Sequence, residues 1–469
     1  MMSEKTAVNG APAWRGWALF AAGLIATFLL GLLAANVLQR REEARRQRPP
    51  IPVADDETDP ARWGLNHPRQ YETYLMQKDD ATRTKFGGSY PRDYLAEHPV
   101  IGVLFAGNPF SKDFRQARGH IFALDDVTHT KRISPQSPGT CMACKSADVP
   151  KLMQRWGIAE FYAKKFDEVK AETEHPIACA DCHKPNTMEL QITRPALREA
   201  LEAMGRDLAA ISHQEMRSLV CAQCHVEYYF KGDGKYLTFP WKHGLTVEDM
   251  ERYYDEIEFA DWTHAVSKTK MLKMQHPDYE VYTTGIHAYR QVACADCHMP
   301  YRTEGGVKYT NHHIRSPLLD VANSCAVCHR WSEKEIVARV ESIQSKVREG
   351  LATAEETIVR AHLDIAAAAE AGADDGQLAD ARNAVRRAQM RWDYVAASNG
   401  MGFHSPLECM RVLTAAVELA GQSRRASARV LAARGIVAEP AYPDFSTKEK
   451  MSELIKQFES GQPPKLLPR

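Results

Sequence analysis

Residues 141–145 read Cys-Met-Ala-Cys-Lys, and the reading of the whole chain turns on that final lysine. Four other stretches share the cysteine spacing but end in histidine: Cys179–Cys182–His183, Cys221–Cys224–His225, Cys294–Cys297–His298 and Cys325–Cys328–His329. Cys-x-x-Cys-His is the attachment signature of c-type haem, in which both thiols bond the porphyrin and the adjacent imidazole takes the iron. One Cys-x-x-Cys alone is weak, because a redox dithiol or half a zinc site has the same spacing. Four copies with an immediate histidine specify a multihaem electron path, since zinc would not require histidine there each time. The motif ending in Lys145 marks one haem as built for chemistry rather than conduction.

An ammonium has no lone pair for a metal, and lysine has a reference pKa of about 10.4, so ligation needs a shielded site that strips a proton. A primary amine also lacks the second ring nitrogen through which a histidine ligand is tuned. If no side chain fills the far side of that iron, a small ligand can. The other four haems, as bis-histidine wires, need four more histidines. The chain has 18, four of them in the motifs, so supply is ample, but composition does not select among them.

Lys+Arg and Asp+Glu both number 60, which leaves no nucleic-acid footprint. Haem propionates would make the loaded protein more acidic than its sequence. Ten of the 11 cysteines sit in the five motifs, which leaves no structural disulfide. Cys409 stands alone and reads as a buried apolar thiol.

Outward from the motifs, the chain divides by texture. Residues 1–16 form an N-terminal tail. Trp17–Leu38 carries no charge, is long enough to span a hydrocarbon core of about 30 Å, and exceeds a signal-peptide apolar region of about 7–15 residues. We read it as an uncleaved anchor, with a removed signal as the alternative. Its downstream flank is the more basic one (Arg40, Arg41, Arg45, Arg46, Arg48), which by the positive-inside rule would keep the rest of the chain cytoplasmic. Attachment of c-type haem on the outer, periplasmic face overrides that rule here. Residues 39–60, charged and Pro-rich, read as a mobile stalk. Residues 61–330 carry all five motifs between Gly and Pro breaks, with no sustained alternation, so little sheet is expected and packing is expected around porphyrin rather than a large aliphatic core. Beyond His329, Ile336, Val340, Ile343 and Val347 make a helical apolar stripe. Helical segments follow at about 351–371, 377–397 and 406–434, the first two broken at Gly372–Gly376. The expected fold class is mainly α: a pentahaem domain completed by long helices over 331–440, with a tail over 441–469.

Three features carry a family resemblance: Cys221-Ala-Gln-Cys-His-Val-Glu-Tyr-Tyr-Phe230, Met271-Leu-Lys-Met-Gln-His-Pro277, and the lysine motif standing first among five. Together they closely resemble ammonia-forming cytochrome c nitrite reductase, from about residue 85 to 435. The resemblance implies a mostly helical periplasmic homodimer with five haem c groups, joined through the long C-terminal helices. It implies, further, reduction of nitrite to ammonium with electrons from a membrane quinol dehydrogenase or a small multihaem cytochrome. It makes Lys145 the proximal ligand of the catalytic haem, and Arg132, Tyr228 and His276 the residues around the substrate. His312, His120, His404 and His287 become distal ligands of the second to fifth haems, with His313 an ambiguous neighbour of His312. The gap from Arg132 to Cys141 is short for the family.

The chemistry of these residue types agrees. A guanidinium fork can hold nitrite oxygens, histidine can supply a proton near neutral pH, and a phenol can donate a hydrogen bond. The resemblance also implies Ca²⁺ held by Glu227, the carbonyls of Tyr228 and Lys273, and the side chain of Gln275, all oxygen donors as a hard cation requires. Two other readings stand beside this one: an electron carrier without catalysis, and a related multihaem reductase of hydroxylamine or sulfur oxyanions such as tetrathionate.

Overall fold

The computed structural model describes residues 14–46 and 51–467. Residues 1–13 of the expected tail, 47–50 of the expected stalk and the last two residues lie outside the described residues. The chain falls into two units, residues 1–52 with 302–309 and residues 53–301 with 310–469.

In the first unit, Trp14–Arg46 is one helix of 33 residues. Its segment Trp14–Arg41 has a mean hydropathy of 2.3 and none of its window is buried, so by length and composition it can cross a membrane. The helix outruns the apolar stretch. Residues 39–46, expected as stalk, continue it, because Gln39, Arg40, Arg41, Glu42 and Glu43 are good helix formers and no proline intervenes before Pro49.

The second unit is mainly helical, its short helices joined by turns and irregular stretches. Val53 N–H donates to Asn186 Oδ1 at 3.0 Å, and Asn186 Nδ2 donates to the Val53 carbonyl at 2.9 Å, so the last residues of the expected stalk are docked. Asp59 then caps Pro60–Gly64. Short helices carry the motifs, and sheet is limited to small antiparallel pieces such as Tyr229–Lys231 with Tyr236–Thr238 and Trp262–Thr263 with Lys270–Met271.

Three long helices complete the unit. Glu333–Glu370 begins at a capping box in which Ser332 and Glu335 satisfy each other's N–H groups. It runs uninterrupted through Gly350, where the expected segments merge: a mid-helix glycine costs about 1 kcal/mol, and the buried Val347, Leu351, Ala354 and Ile358 outweigh that. Gly372 ends the helix at φ +84°, a left-handed conformation suited to glycine. Asp374 caps Asp375–Ala396, and Pro406 opens Pro406–Ala432 at the first turn, where proline is tolerated. The three helices pack on one another through Ile358, Leu363, Val385, Trp392, Val412 and Leu413, all buried. A continuous apolar cluster therefore runs from Leu95 to Leu466, larger than expected for a chain packed around porphyrin. The expected C-terminal tail holds a further helix, Lys448–Glu459, which buries Met451, Leu454, Ile455 and Phe458.

One part of this core positions the site. Phe105 meets Trp392 of the second long helix at 5.6 Å and Phe110 at 5.7 Å, ring centre to ring centre. Beside it, His264 and His362 stack at 3.7 Å, fully buried. His362 bonds Ser267 and Gln389, and Gln389 donates to the Leu104 carbonyl.

Candidate haem-binding and active site

The histidine of each Cys-x-x-Cys-His motif faces a second imidazole across a gap of one size. The ring centres lie 6.3 Å apart for His183–His312, 6.3 Å for His225–His120, 6.2 Å for His298–His404 and 6.3 Å for His329–His287. An imidazole–metal bond of about 2.0–2.1 Å, with about 1.1 Å more from nitrogen to ring centre, puts two axial imidazoles about 6.3 Å apart. The spacing is that of one iron between each pair, so the residues present fit haem. His225 has another imidazole, His276, at 6.4 Å. Asp278, two residues after His276 and first in the helix Asp278–Thr283, meets His225 Nδ1 at 3.0 Å.

The outer nitrogens are also arranged for ligation. Nδ1 of His183 meets the Met188 carbonyl at 2.9 Å, Nδ1 of His298 the Arg315 carbonyl at 3.1 Å, and Nδ1 of His312 the Thr310 carbonyl at 2.9 Å. An acceptor on Nδ1 fixes the tautomer that leaves Nε2 free for a metal. Burial pushes His120, His298 and His312 down to about 4, so all three are neutral as ligands must be. The neighbouring His313 instead meets Asp80 through Nε2 at 2.8 Å. Gly285 brings two of these histidines' segments together: a Cβ there would lie 2.0 Å from the His404 carbonyl oxygen, two residues before His287.

The motifs are bracketed into one body. Arg194, 2% exposed, donates to the carbonyls of Ala143 and Ser146 at 2.7 and 2.9 Å and pairs with Asp181 at 2.5 Å, joining the first motif to the second. Gln223, inside the third motif, accepts from the Arg194 N–H at 3.0 Å and donates to the Asp181 carbonyl at 3.2 Å. Cys144 lies beside Cys224, and Cys221 beside Cys294.

Around Cys141 and Cys144 a different set converges. Arg132 lies within electrostatic reach of Cys141 and Tyr228, Tyr228 of both cysteines, and His276 of Lys145. Arg132 Nε donates to Thr130 Oγ1 at 3.1 Å, and its guanidinium lies 4.2 Å from the Phe110 ring centre. Its two terminal nitrogens meet no protein acceptor among the described residues, and nor does the Tyr228 hydroxyl. Burial lifts the Tyr228 phenol well above its ordinary range, which keeps it a donor. Burial, then Lys145, hold His276 down to about 3, and its buried Nδ1 has no partner. A guanidinium fork, a phenol and an imidazole with open polar atoms suit a small anion that must also receive protons.

Beneath them lies the candidate cation site. Glu227 is fully buried; its oxygens accept from the Tyr254 hydroxyl at 2.7 Å and the Gln275 N–H at 2.5 Å. Gln275 Nε2 contacts the Lys273 carbonyl at 3.3 Å. Burial, then the nearby Asp261 and Glu280, push the Glu227 carboxyl well up. Glu280 Oε2 is buried without a partner. Lys273 cannot neutralise this charge, because its ammonium is paired with Asp393 at 3.0 Å. A buried carboxyl pushed up for want of a compensating cation, beside carbonyl oxygens, fits a hard cation, which would hold it ionised. Among the described residues no three His, Cys, Asp or Glu side chains form a metal cluster. The expected set has one carboxylate and three neutral oxygens, so it is of another kind.

The family follows from a sequence model of cytochrome c552, which matches residues 59–462. This chain belongs to the cytochrome c552 family. The cytochrome is 47% identical over 453 residues to cytochrome c-552 of Bacteroides fragilis, covering 94% of this chain and 92% of the relative. It is 46% identical over 452 residues to that of Porphyromonas gingivalis, covering 94% and 91%. Among solved structures it resembles the catalytic subunit of cytochrome c nitrite reductase from Desulfovibrio desulfuricans, a protein with two calcium sites. The TM-score is 0.77 at 32% identity, covering 80% of this chain and 87% of that one.

Sequence reasoning missed Asp278, Arg194, Thr130 and Asp393 as partners that hold the candidate site's segments. Asp278 and Thr130 are local, each two residues from the residue it serves or flanks, His276 and Arg132, whereas Arg194 and Asp393 act across long sequence separations.

Proposed function

We propose that this cytochrome reduces nitrite to ammonium, consuming six electrons and eight protons and releasing two waters. The observation that carries the reading is a contrast. Four motif histidines each face a second imidazole, whereas the motif ending in Lys145 is attended by Arg132, Tyr228 and His276, whose polar atoms are open. Lys145 and the four motif histidines would hold five haem c groups, with His120, His287, His312 and His404 opposite the histidines. Haem c, when bound, would relay the donor's electrons and offer an iron able to take a nitrogen oxide.

The chain's own residues do the rest. Arg132 keeps Nε on Thr130 and turns its terminal nitrogens to the anion's oxygens. Tyr228 donates a hydrogen bond from a phenol that stays protonated. His276 has an unpartnered Nδ1 through which protons can be relayed to a departing oxygen. Glu227, Gln275 and the carbonyls of Tyr228 and Lys273 would hold Ca²⁺, tying the Tyr228 and His276 segments to one ion.

The same reading places the protein in the periplasm, held to the inner membrane by Trp14–Arg41 and fed by a membrane quinol dehydrogenase or a small multihaem cytochrome. It includes a homodimer through the long C-terminal helices. Leu407, 89% exposed at the start of Pro406–Ala432, supports a contact there. Steady-state assay with nitrite and reduced viologen tests the activity. Ammonium should account for the nitrite consumed; negligible ammonium would sink nitrite as the main substrate and return the chain to an electron carrier or another reductase.

A further inference from the structure

Arg132 is the one substrate-facing cation of the proposed site, and a flexible guanidinium gains specificity only if its fork is aimed. The fold holds it from two directions. Thr130 Oγ1 accepts from both Arg132 Nε, at 3.1 Å, and Arg132 N–H, at 3.3 Å. The same hydroxyl donates its single proton to Asp113 Oδ2 at 2.9 Å, which turns the oxygen's lone pairs toward the arginine. Asp113 is buried and itself fixed, by the Lys131 N–H on Oδ2 at 3.0 Å and by Arg115 Nε on Oδ1 at 3.2 Å. Below the guanidinium, the Phe110 ring is shared with a second cation, the Lys273 ammonium, at 4.8 Å. Lys273 is locked to Asp393, so the ring has a fixed support. Nε, the main-chain N–H and the guanidinium face are all occupied, and the two terminal nitrogens remain for a ligand.

We propose that Thr130 and Asp113 are positioning residues for anion binding: the chain Asp113–Thr130–Arg132 aims the arginine fork at the substrate's oxygens. The inference rests on the reading of Arg132 as the residue that holds nitrite. Burial draws the Asp113 carboxyl upward, but the Lys131 N–H, the Thr130 hydroxyl and Arg115 outweigh it and hold the group below its ordinary range, so Asp113 accepts as a carboxylate. Hydrogen bonds in such a chain polarise one another, so loss of either member slackens the arginine. Serine at 130 can make the same three bonds and valine can make none.

The test uses the haem-loaded full chain. Nitrite affinity is read by optical titration of the oxidised protein, and KM and kcat are measured for nitrite and for neutral hydroxylamine. Thr130→Val and Asp113→Ala should each raise the nitrite dissociation constant and KM about tenfold, the scale of one hydrogen bond to a charged group. Thr130→Ser should restore them, and hydroxylamine turnover should fall far less. On an Arg132→Gln background, Thr130→Val should add nothing further to the loss of nitrite affinity. Equal losses for both substrates, or additive effects on the Arg132→Gln background, would overturn the bracket and make Thr130 merely structural. If Arg132→Gln alone leaves nitrite affinity unchanged, it is the underlying reading of Arg132 that fails. Should Thr130→Val not load haem, Thr130→Ser and Asp113→Ala still decide, because the bracket requires the first to keep nitrite affinity and the second to lose it.

Discussion

Replacing Asp393 by alanine probes how the long helices hold the substrate loop. Asp393 and Lys273 are each 2% exposed at the side chain and meet at 3.0 Å. Asp393 Oδ2 also accepts the Met274 N–H at 2.8 Å, so one carboxylate fixes the segment carrying Gln275 and His276. Burial holds the Asp393 carboxyl above its ordinary range even against the attraction of Lys273, and a buried ion pair of this kind contributes chiefly by fixing position. Removing one partner of a buried pair costs about 3–5 kcal/mol, because the other charge is left without compensation. The orphaned Met274 N–H adds about 1–3 kcal/mol, not independently. We expect a total loss of about 5 kcal/mol. Guanidinium unfolding of the haem-loaded protein, followed by far-ultraviolet circular dichroism, measures it. Lys273→Met with Asp393→Leu should recover most of the stability, since apolar side chains of similar volume replace buried pairs at little cost. It should not recover nitrite turnover, because the Met274 anchor and the support under Phe110 stay lost. A loss below about 1 kcal/mol in the alanine variant would refute the reasoning, as would a double variant no more stable than the single one.

Other outcomes follow from the same structure. Burial holds His362 down to about 4, against about 6.5 in an unfolded chain, and His264 is depressed with it. The unfolded chain alone takes up these protons between those values. Stability is therefore full above pH 6.5 and falls toward pH 4, by about 3 kcal/mol for His362. Unfolding curves across that window should show the slope, and a curve that stays flat would count against it. Arg194→Met leaves Asp181 buried and unpaired and should lower the thermal midpoint of the haem-loaded protein by several degrees, seen as early loss of the Soret circular dichroism. Calcium chelation should lower turnover more than haem content; an unchanged rate in protein verified as metal-free would argue against the cation at Glu227.

The parts of the site legible in the sequence were those written locally. The five motifs are contiguous stretches, and the long helices announce themselves through the apolar period of Ile336, Val340, Ile343 and Val347 and through the break at Gly372–Gly376. Opposing histidines could not be chosen by composition. His120, His287, His312 and His404 were named by family context, and the structure sets each of them across from a motif histidine. The brackets were illegible: Lys273 and Asp393 are 120 residues apart, and Arg194 reaches back 51 residues to Ala143. No periodicity encodes such contacts; packing creates them. The charged run 39–46 misled because arginine and glutamate favour a solvated helix as readily as a stalk. The large apolar cluster was underestimated because haem was expected to fill the space that the three long helices fill with Trp392, Leu363 and their neighbours.

The most direct test of the account is the coordination of the haem attached at Cys141 and Cys144. Electron paramagnetic resonance of the oxidised protein, with Lys145→His as the comparison, reports it. The account predicts one haem with a lysine amine on one side and an exchangeable position on the other, giving a signal that shifts on adding nitrite beside four bis-histidine signals that do not. Five signals that are all indifferent to nitrite, with a protein side chain on both sides of every iron, would contradict it.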